Sequence, residues 1–407
     1  MNMSRMKLIL ARQLLCHGGL LVKDAGILIR GGRIIEIAMS AAGARRLARN
    51  SGAVQEDHGP GIWTAGLVNA HAHLELTALG NSVPRLPFAH WVSALMGARA
   101  EMGRNALSRG LAQGADRLLN TGTSTVGDND SLGLAAGVLA SHPIRARVFR
   151  EALDAWDPKR TAKARRFSRA PRRGTATLAF GFGPHAPFTV SSVLARSLAQ
   201  DAKLRRAPLS IHFAESRGEN QWMLTGNGPL AGVLPKSPGI SSLEYLEQTS
   251  LLGSRSALVH CNHVKKSEIE RIAQSGACVV HCPKSHEFFR RAKFDPEPWL
   301  RAGVVMALGT DSVASNPDLD MRAEMARLRE TSPDLNPEQI WNMATEGGAR
   351  CLGWGQRLGR LEPERAADLA LWDLAPRSRA GALEALTGSS PEIRQMIVAG
   401  RAQHSVS

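Results

Sequence analysis

The chain has 407 residues, enough for one barrel-sized unit and a small accessory domain, and its 43% apolar content allows a sizeable core. No apolar run reaches the roughly 18 residues of a membrane span. The five cysteines (Cys16, Cys261, Cys278, Cys282, Cys351) form no CxxC pair, which argues against a disulfide scaffold and for a reducing cytoplasm. The net charge of +15 comes largely from dispersed arginine. With no aromatic ladder, helix-turn-helix or finger spacing beside it, this charge predicts a solvated surface and no nucleic-acid partner. The densest stretch, KRTAKARRFSRAPRR at residues 159–173, reads the same way.

At the N-terminus, MNMSRMKLILARQLLCHGG begins like a secretory leader. Its apolar LIL is too short, Arg12 interrupts it and no small-residue cleavage site follows, so a first strand is expected. Further short apolar runs follow, with hairpin turns expected at Gly18-Gly19 and Gly31-Gly32. The other end behaves alike: ADLALWDL (367–374) and IRQMIVAGRAQ (393–403) read as strands. Residues 1–65 and 356–407 are therefore expected to build one small β-sandwich domain.

Between them, residues 66–355 alternate short apolar runs with helix-like stretches. The runs are LVNAHAH, STVGDN, RARVFRE, LAFGFGPH, LSIHFAE, ALVHCNH, CVVHCPKS and VMALGTDS, eight in all. Eight β-then-α units predict an α/β chain folded as a (β/α)8 TIM barrel. Nearly every run ends polar, in His, Glu, Asp or Asn. In such barrels the strand C-termini form the mouth where chemistry is done.

His71 and His73, two residues apart on a strand, point to the same face and can share an ion. His212 ends the run LSI and is the third candidate ligand. Glu215 follows three residues later, on the mouth side if the chain leaves strand geometry just after His212. Asp311 ends the last run. A carboxylate beside three imidazoles completes a common zinc shell, and it can also accept a proton from bound water. The bland alternative for Asp311 is a cap on the following helix, which its place in an ordered set of four strand-end residues argues against. His260, at the end of run six, is placed at the mouth, and His263 is structural or outside the ligand set. Cys278, His281 and Cys282 look like a metal cluster but sit on a strand, where neighbours face opposite ways. Glu75 either binds substrate or braces its loop, and Glu151 is a candidate substrate contact. Trp91 reads as packing, and Ser312 and Asn316 as loop braces.

The segments GLVNAHAHLELT, HAPFTVSS, IHFAES, VHCNH, VVHCPKSH and LGTDSVASNPDLDMRAEM occur in order over nearly the whole barrel. Together they resemble the amidohydrolase superfamily, within it the mononuclear deaminase and chlorohydrolase branch. The resemblance implies one divalent ion, zinc or ferrous iron, on His71, His73, His212 and Asp311. It implies Glu215 as proton shuttle to a substrate ring nitrogen, His260 polarising the attacking water, Asp311 taking its proton, and His185 contacting substrate. Branches with two metals carry a lysine at the end of strand four, where this chain has Pro184-His185.

The segments NAHAHLEL, FAHWVSAL and RVFREALD are most similar to aminodeoxyfutalosine deaminases, with 5′-substituted adenosine deaminases as neighbours. The implied reaction is hydrolytic deamination of a small adenine nucleoside derivative. The alternatives are hydrolysis of another amino- or chloro-substituted heterocycle, of guanine or triazine type, or a silent binding barrel. The resemblance also implies self-association into dimers or larger assemblies. Two departures stand out. Where the family reads CPxSN and then a glycine-containing loop, this chain reads Cys282-Pro283-Lys284-Ser285-His286-Glu287-Phe288-Phe289, making His286 a candidate substrate contact. Arg365 stands where a glycine is usual.

Overall fold

The computed structural model describes residues 6–16, 20–169, 171, 174–232, 234–235, 237–388 and 391–403. The expected Gly18-Gly19 turn and the end of the basic stretch lie outside them. The chain opens with β1 (Lys7–Leu15), β2 (Leu21–Arg30), β3 (Arg33–Ala38), β4 (Val54–Asp57) and β5 (Ile62–Ala65). The next eight strands are β6 (Leu67–Ala72), β7 (Thr123–Asp130), β8 (Arg145–Ala152), β9 (Leu178–Pro184), β10 (Leu209–Phe213), β11 (Ser256–His260), β12 (Cys278–His281) and β13 (Met306–Leu308). They pair in sequence order, all parallel, with helices between them. Each of the eight expected runs overlaps one of them. β11 (SALVH) and β12 (CVVH) are buried along their whole length, as strands covered on both faces must be.

The barrel closes at the residues that matter. Beyond β13, Asp311 bridges to Ala72, and the backbone N–H groups of Thr310 and Asp311 both donate to the His71 carbonyl at 3.1 Å. Gly309 permits this approach, because a Cβ there would lie 2.8 Å from the His71 oxygen. The first and last barrel strands thus meet through the candidate ligands themselves.

β14 (Leu369–Trp372), β15 (Ile393–Val398) and β16 (Arg401–Gln403) complete the chain. They join β1–β5 in one eight-stranded sheet, ordered β16-β15-β14-β5-β1-β2-β3, with β4 also on β1. The small β-domain expected as a sandwich is therefore one hydrogen-bonded sheet folded over a shared core. Ile27, Ile29 and Ile34 from one arm pack with Leu369, Leu371 and Ile397 from the other. The hairpin tips meet. Gly31 and Gly32 hold the left-handed φ of 59° and 77° that the tight turn demands, and a Cβ on Gly32 would sit 2.7 Å from the Ala399 oxygen. The ends are not purely strand. Helices Ala41–Asn50 and Arg379–Gly388 interrupt them, and the second packs on barrel helices Met321–Thr331 and Pro337–Asn342. Arg365 belongs to this region, where its guanidinium donates to the carbonyls of Gly355 and Leu358, far from the mouth.

Sheet and barrel share a core in which Ile62, Ala370, Trp372 and Met396 pack with barrel residues such as Ile211 and Leu258. A buried ion pair also ties them. Arg145, at the start of β8, donates from Nε and Nη2 to Asp368 at 2.6 and 2.9 Å, and Asp368 also accepts from the Ala399 N–H. Replacing Asp368 by asparagine leaves the Arg145 charge buried without its counter-ion. Unfolding free energy should drop by about 3–5 kcal/mol. Urea unfolding checks this, and a loss below about 1 kcal/mol would show that the sheet is held by apolar packing alone.

Candidate metal and catalytic site

The structure brings His71, His73, His212 and Asp311 to one point at the mouth. The ligand nitrogens of the three histidines lie within 4.8 Å of one another. His73 Nε2 and His212 Nε2 are 3.2 Å apart, and Asp311 Oδ1 is 3.8 Å from Nε2 of both His71 and His73. His71 Nε2 is buried with no hydrogen-bond partner. A buried nitrogen lone pair without a partner is costly unless something binds it. A cation among these four residues satisfies it.

Each ring is set from behind. His212 Nδ1 lies 3.0 Å from the His185 carbonyl, which requires Nδ1–H and leaves Nε2 as the ligand atom. Asn129 on β7 serves the other two. Its side-chain amide is 3.3 Å from His71 Nδ1, and its backbone hydrogen-bonds His73. With the amide oxygen turned to the ring, Asn129 accepts Nδ1–H and frees His71 Nε2. In the sequence, Asn129 is marked only by the polar C-terminal end of the run STVGDN. Asn129→Ala is expected to weaken metal affinity about 10–100-fold, read by competition with a chelator of known affinity. Unchanged affinity would mean the rings are oriented by packing alone.

Burial keeps the His73 and His212 imidazoles neutral, as ligation needs. Burial first, then neighbouring histidines, push His73 down to about 3 and His212 well below the usual range. Asp311 departs from strand geometry with φ 58°, and its Oδ2 accepts from Ser285 and Ser315 at 2.7 and 3.0 Å.

Glu215 swings over the mouth. β10 runs to Phe213, and Ala214 turns the chain with φ 50°. The backbone N–H groups of Ala214 and Glu215 both donate to the Glu219 carboxylate at 3.0 Å, which holds that turn. Glu215 Oε2 is 3.8 Å from His260 Nε2. Burial raises Glu215 to about 7 against the opposing charge of Arg291. His260, at φ 76°, is pushed down to about 3 by burial. Arg291, which sequence reading missed, donates from Nη2 to Glu215 Oε1 at 2.8 Å.

A cavity of about 680 Å³ stands over this floor. His73, His185, His212, Glu215, His260 and Asp311 line its base, and Phe88, Trp91, Leu95 and Phe289 line one wall. Trp91 packs on Phe289 as expected and also faces the cavity. Glu75 and Glu151 line it too. Glu75 accepts from Ser131 and keeps Oε2 unpartnered, while Glu151 Oε1 is buried without a partner, 3.6 Å from His212 Nδ1. Burial raises Glu75 to about 7 and Glu151 well above the ordinary carboxylate range. His185 holds Thr189 through Nδ1 at 2.7 Å. The basic stretch is not all solvated surface. Helix Pro158–Ser168 brings Arg160 and Lys163 to the outer lining, and Lys163 is the only lysine among the described lining residues.

His286 is the exception among the expected substrate contacts. It is absent from the cavity lining, because its ring is tied to Asn262 Oδ1 at 3.0 Å and to the Ala292 carbonyl at 2.6 Å. The ring braces its own loop. His263 also stays outside the cavity, its N–H on the Ala214 carbonyl. His281 stacks on Phe294 at 4.1 Å, and no cysteine joins a metal-ligand group among the described residues. Asn316 braces its loop through Thr310, as its position suggested.

Residues 62–402 match the Amidohydrolase family. The chain belongs to that family. This amidohydrolase is 34% identical over 310 residues to the aminodeoxyfutalosine deaminase of Deinococcus radiodurans, covering 70% of this chain and 72% of that one. It is 29% identical over 330 residues to a 5-methylthioadenosine/S-adenosylhomocysteine deaminase of Moorella thermoacetica, with 78% and 74% covered. An adenosine deaminase from Xanthomonas campestris with bound zinc superposes with a TM-score of 0.83 at 26% identity, over 97% and 92% of the two chains. Helicobacter pylori aminofutalosine deaminase, in complex with methylthio-coformycin, superposes at 0.86 with 19% identity, over 98% and 100%, a likeness of fold. Family and donor set together support a divalent metal ion and a hydrolase acting on C–N bonds of a small molecule. No helix among the described residues is long and apolar enough to cross a membrane.

Proposed function

We propose that this amidohydrolase deaminates an adenine nucleoside derivative with one zinc ion, in a barrel of residues 66–355 supported by the small domain of 1–65 and 356–407. The observation that carries the reading is Glu215 beside His260, over the donor set and at the base of a deep, largely apolar cavity. An ion held by His71, His73, His212 and Asp311 supplies a Lewis acid and a water that ionises near neutral pH. One ion suits the site better than two. A second group, Glu151-His185-His212, shares His212, whose Nδ1 already faces the His185 carbonyl.

Water adds to the ring carbon bearing the amino group. His260 orients it and Asp311 accepts its proton. Glu215 protonates the adjacent ring nitrogen, relieving the negative charge that builds there. Asp311 then returns its proton to the amino group, ammonia leaves with the C–N bonding electrons, and the new hydroxyl gives its proton to Glu215. Atoms and charge balance, and both carboxyls return to their starting states. His185, Glu75 and Glu151 offer polar contacts to the nucleoside, and Arg160 with Lys163 at the outer end suits a substrate carrying an acidic group. The five free cysteines fit the reducing cytoplasm, where we place the protein.

Ammonia release from aminodeoxyfutalosine, adenosylhomocysteine, methylthioadenosine, adenosine and guanine tests this, with Glu215→Gln as control. Turnover of one adenine nucleoside, lost in the control, supports the reading and selects the substrate. Turnover of guanine alone, or of none by metal-loaded protein, sinks the adenine nucleoside assignment.

A further inference from the structure

We infer that Arg291 is a positioning residue for the proton-transfer carboxylate, clamping one oxygen of Glu215 so that the other is the working oxygen at the cavity. This rests on the role proposed for Glu215. The clamp is a 2.8 Å charge-assisted hydrogen bond from Nη2 to Oε1, and both side chains are nearly buried, at 8% and 10% exposure. Oε2 is the oxygen left facing His260.

The guanidinium lies over two aromatic rings, 4.9 Å from the Phe289 centroid and 5.3 Å from that of Phe88. Such faces stabilise a cation withdrawn from water. The loop that delivers it is the one that departs from the family pattern. His286 ties the loop to Asn262 and to Ala292, the Arg291 N–H donates to the His286 carbonyl at 3.3 Å, and Asn262 Nδ2 donates to the Glu215 carbonyl at 3.2 Å. His286, Asn262, Glu215 and Arg291 thus form a closed ring of contacts. The histidine in place of the family asparagine acquires a purpose: it sets the loop that carries the clamp.

A carboxyl that must give up and recover a proton within one turnover needs a fixed geometry and a proton affinity near the working pH. The ionisable groups facing Glu215 are His260 at the end of β11, Asp311 beyond β13, Glu219 on helix Arg217–Thr225 and Arg291. Arg291 is the one fixed positive charge among them. Its loss removes a brace and a charge together, and lysine restores the charge without the planar fork.

The test compares zinc-loaded Arg291→Met and Arg291→Lys with the wild-type protein, after checking that each keeps its unfolding midpoint and metal content. Two readouts are taken. On the selected substrate, Arg291→Met should lower kcat about 10-fold or more with KM changed less than about 3-fold, and Arg291→Lys should recover part of it. Independently of turnover, infrared difference spectra against the matching Glu215→Gln protein follow the Glu215 carboxyl band with pH. Its midpoint should rise by about one unit or more in Arg291→Met. An unmoved midpoint in a folded, metal-loaded variant overturns the inference whatever happens to kcat, since it would show that the guanidinium does not engage the carboxylate. If Arg291→Met does not fold, Arg291→Gln takes its place in both measurements. If wild-type protein turns over no substrate, the deaminase reading fails and the midpoint alone decides the role of Arg291.

Discussion

Glu215→Gln is expected to lower kcat by about 10² to 10⁴ while metal content stays at one ion per chain. Glutamine keeps the shape and the hydrogen bonds of the turn at Ala214, because these run through backbone N–H groups to Glu219. It removes the acid proton, and with it the carboxylate charge that pairs with Arg291. The loss should fall on kcat and kcat/KM alike, since the proton is needed in the transition state and not for binding.

The pH dependence gives a second check with a definite sign. Burial raises Glu215 to about 7, so its acid form dominates below that pH and declines above it. A bound cation nearby pulls the value lower. The kcat/KM profile should therefore fall on its alkaline side with a midpoint at or below about 7, and Glu215→Gln should abolish that limb. Retained turnover in the variant, with the limb unchanged, would remove Glu215 from the proton path.

Metal removal should abolish turnover and also destabilise the fold. In His73 and His212, two nitrogens approach within 3.2 Å, and His71 Nε2 is buried without a partner. With Nδ1–H of His212 on the His185 carbonyl, its Nε2 lone pair faces the His73 ring, which a cation between them would relieve. An ion that binds only the folded chain adds about 4 kcal/mol when free metal stands at about 1,000 times its dissociation constant. Chelated protein should melt at lower temperature, and graded zinc should restore melting point and activity in parallel. His71→Asn should lose both effects, because its backbone carbonyl closes the barrel but only its imidazole supplies Nε2. A melting point indifferent to zinc would show that these four residues do not form a tight site.

Much of this was open to a reading of residues alone. A barrel strand is short, apolar and buried on both faces, so each of the eight announced itself in its own few residues. The residues at the strand ends, His71, His73, His212, His260 and Asp311, could be placed at one mouth because the architecture has one mouth. Resemblance then suggested roles for them, but not their second contacts. The helices Ala41–Asn50 and Arg379–Gly388 were lost against strand-rich surroundings, where a single short helix has little local signal.

What the amino-acid sequence determined by itself was thus the alternation of strand and helix, the strand-rich character of the two ends, and the kinds of side chain brought to the mouth. Only the tertiary structure decided which of them touch. Arg291 meets Glu215 across 76 residues of chain and Asn129 meets His71 across 58. His286 turns from the cavity to its own loop, and Arg160 and Lys163 reach the cavity from a stretch that reads as surface. The physical reason is range. Hydrophobic periodicity and strand-end polarity are written within a few neighbouring residues, whereas the partner of a charged or hydrogen-bonding group depends on the paths of loops far apart in the chain.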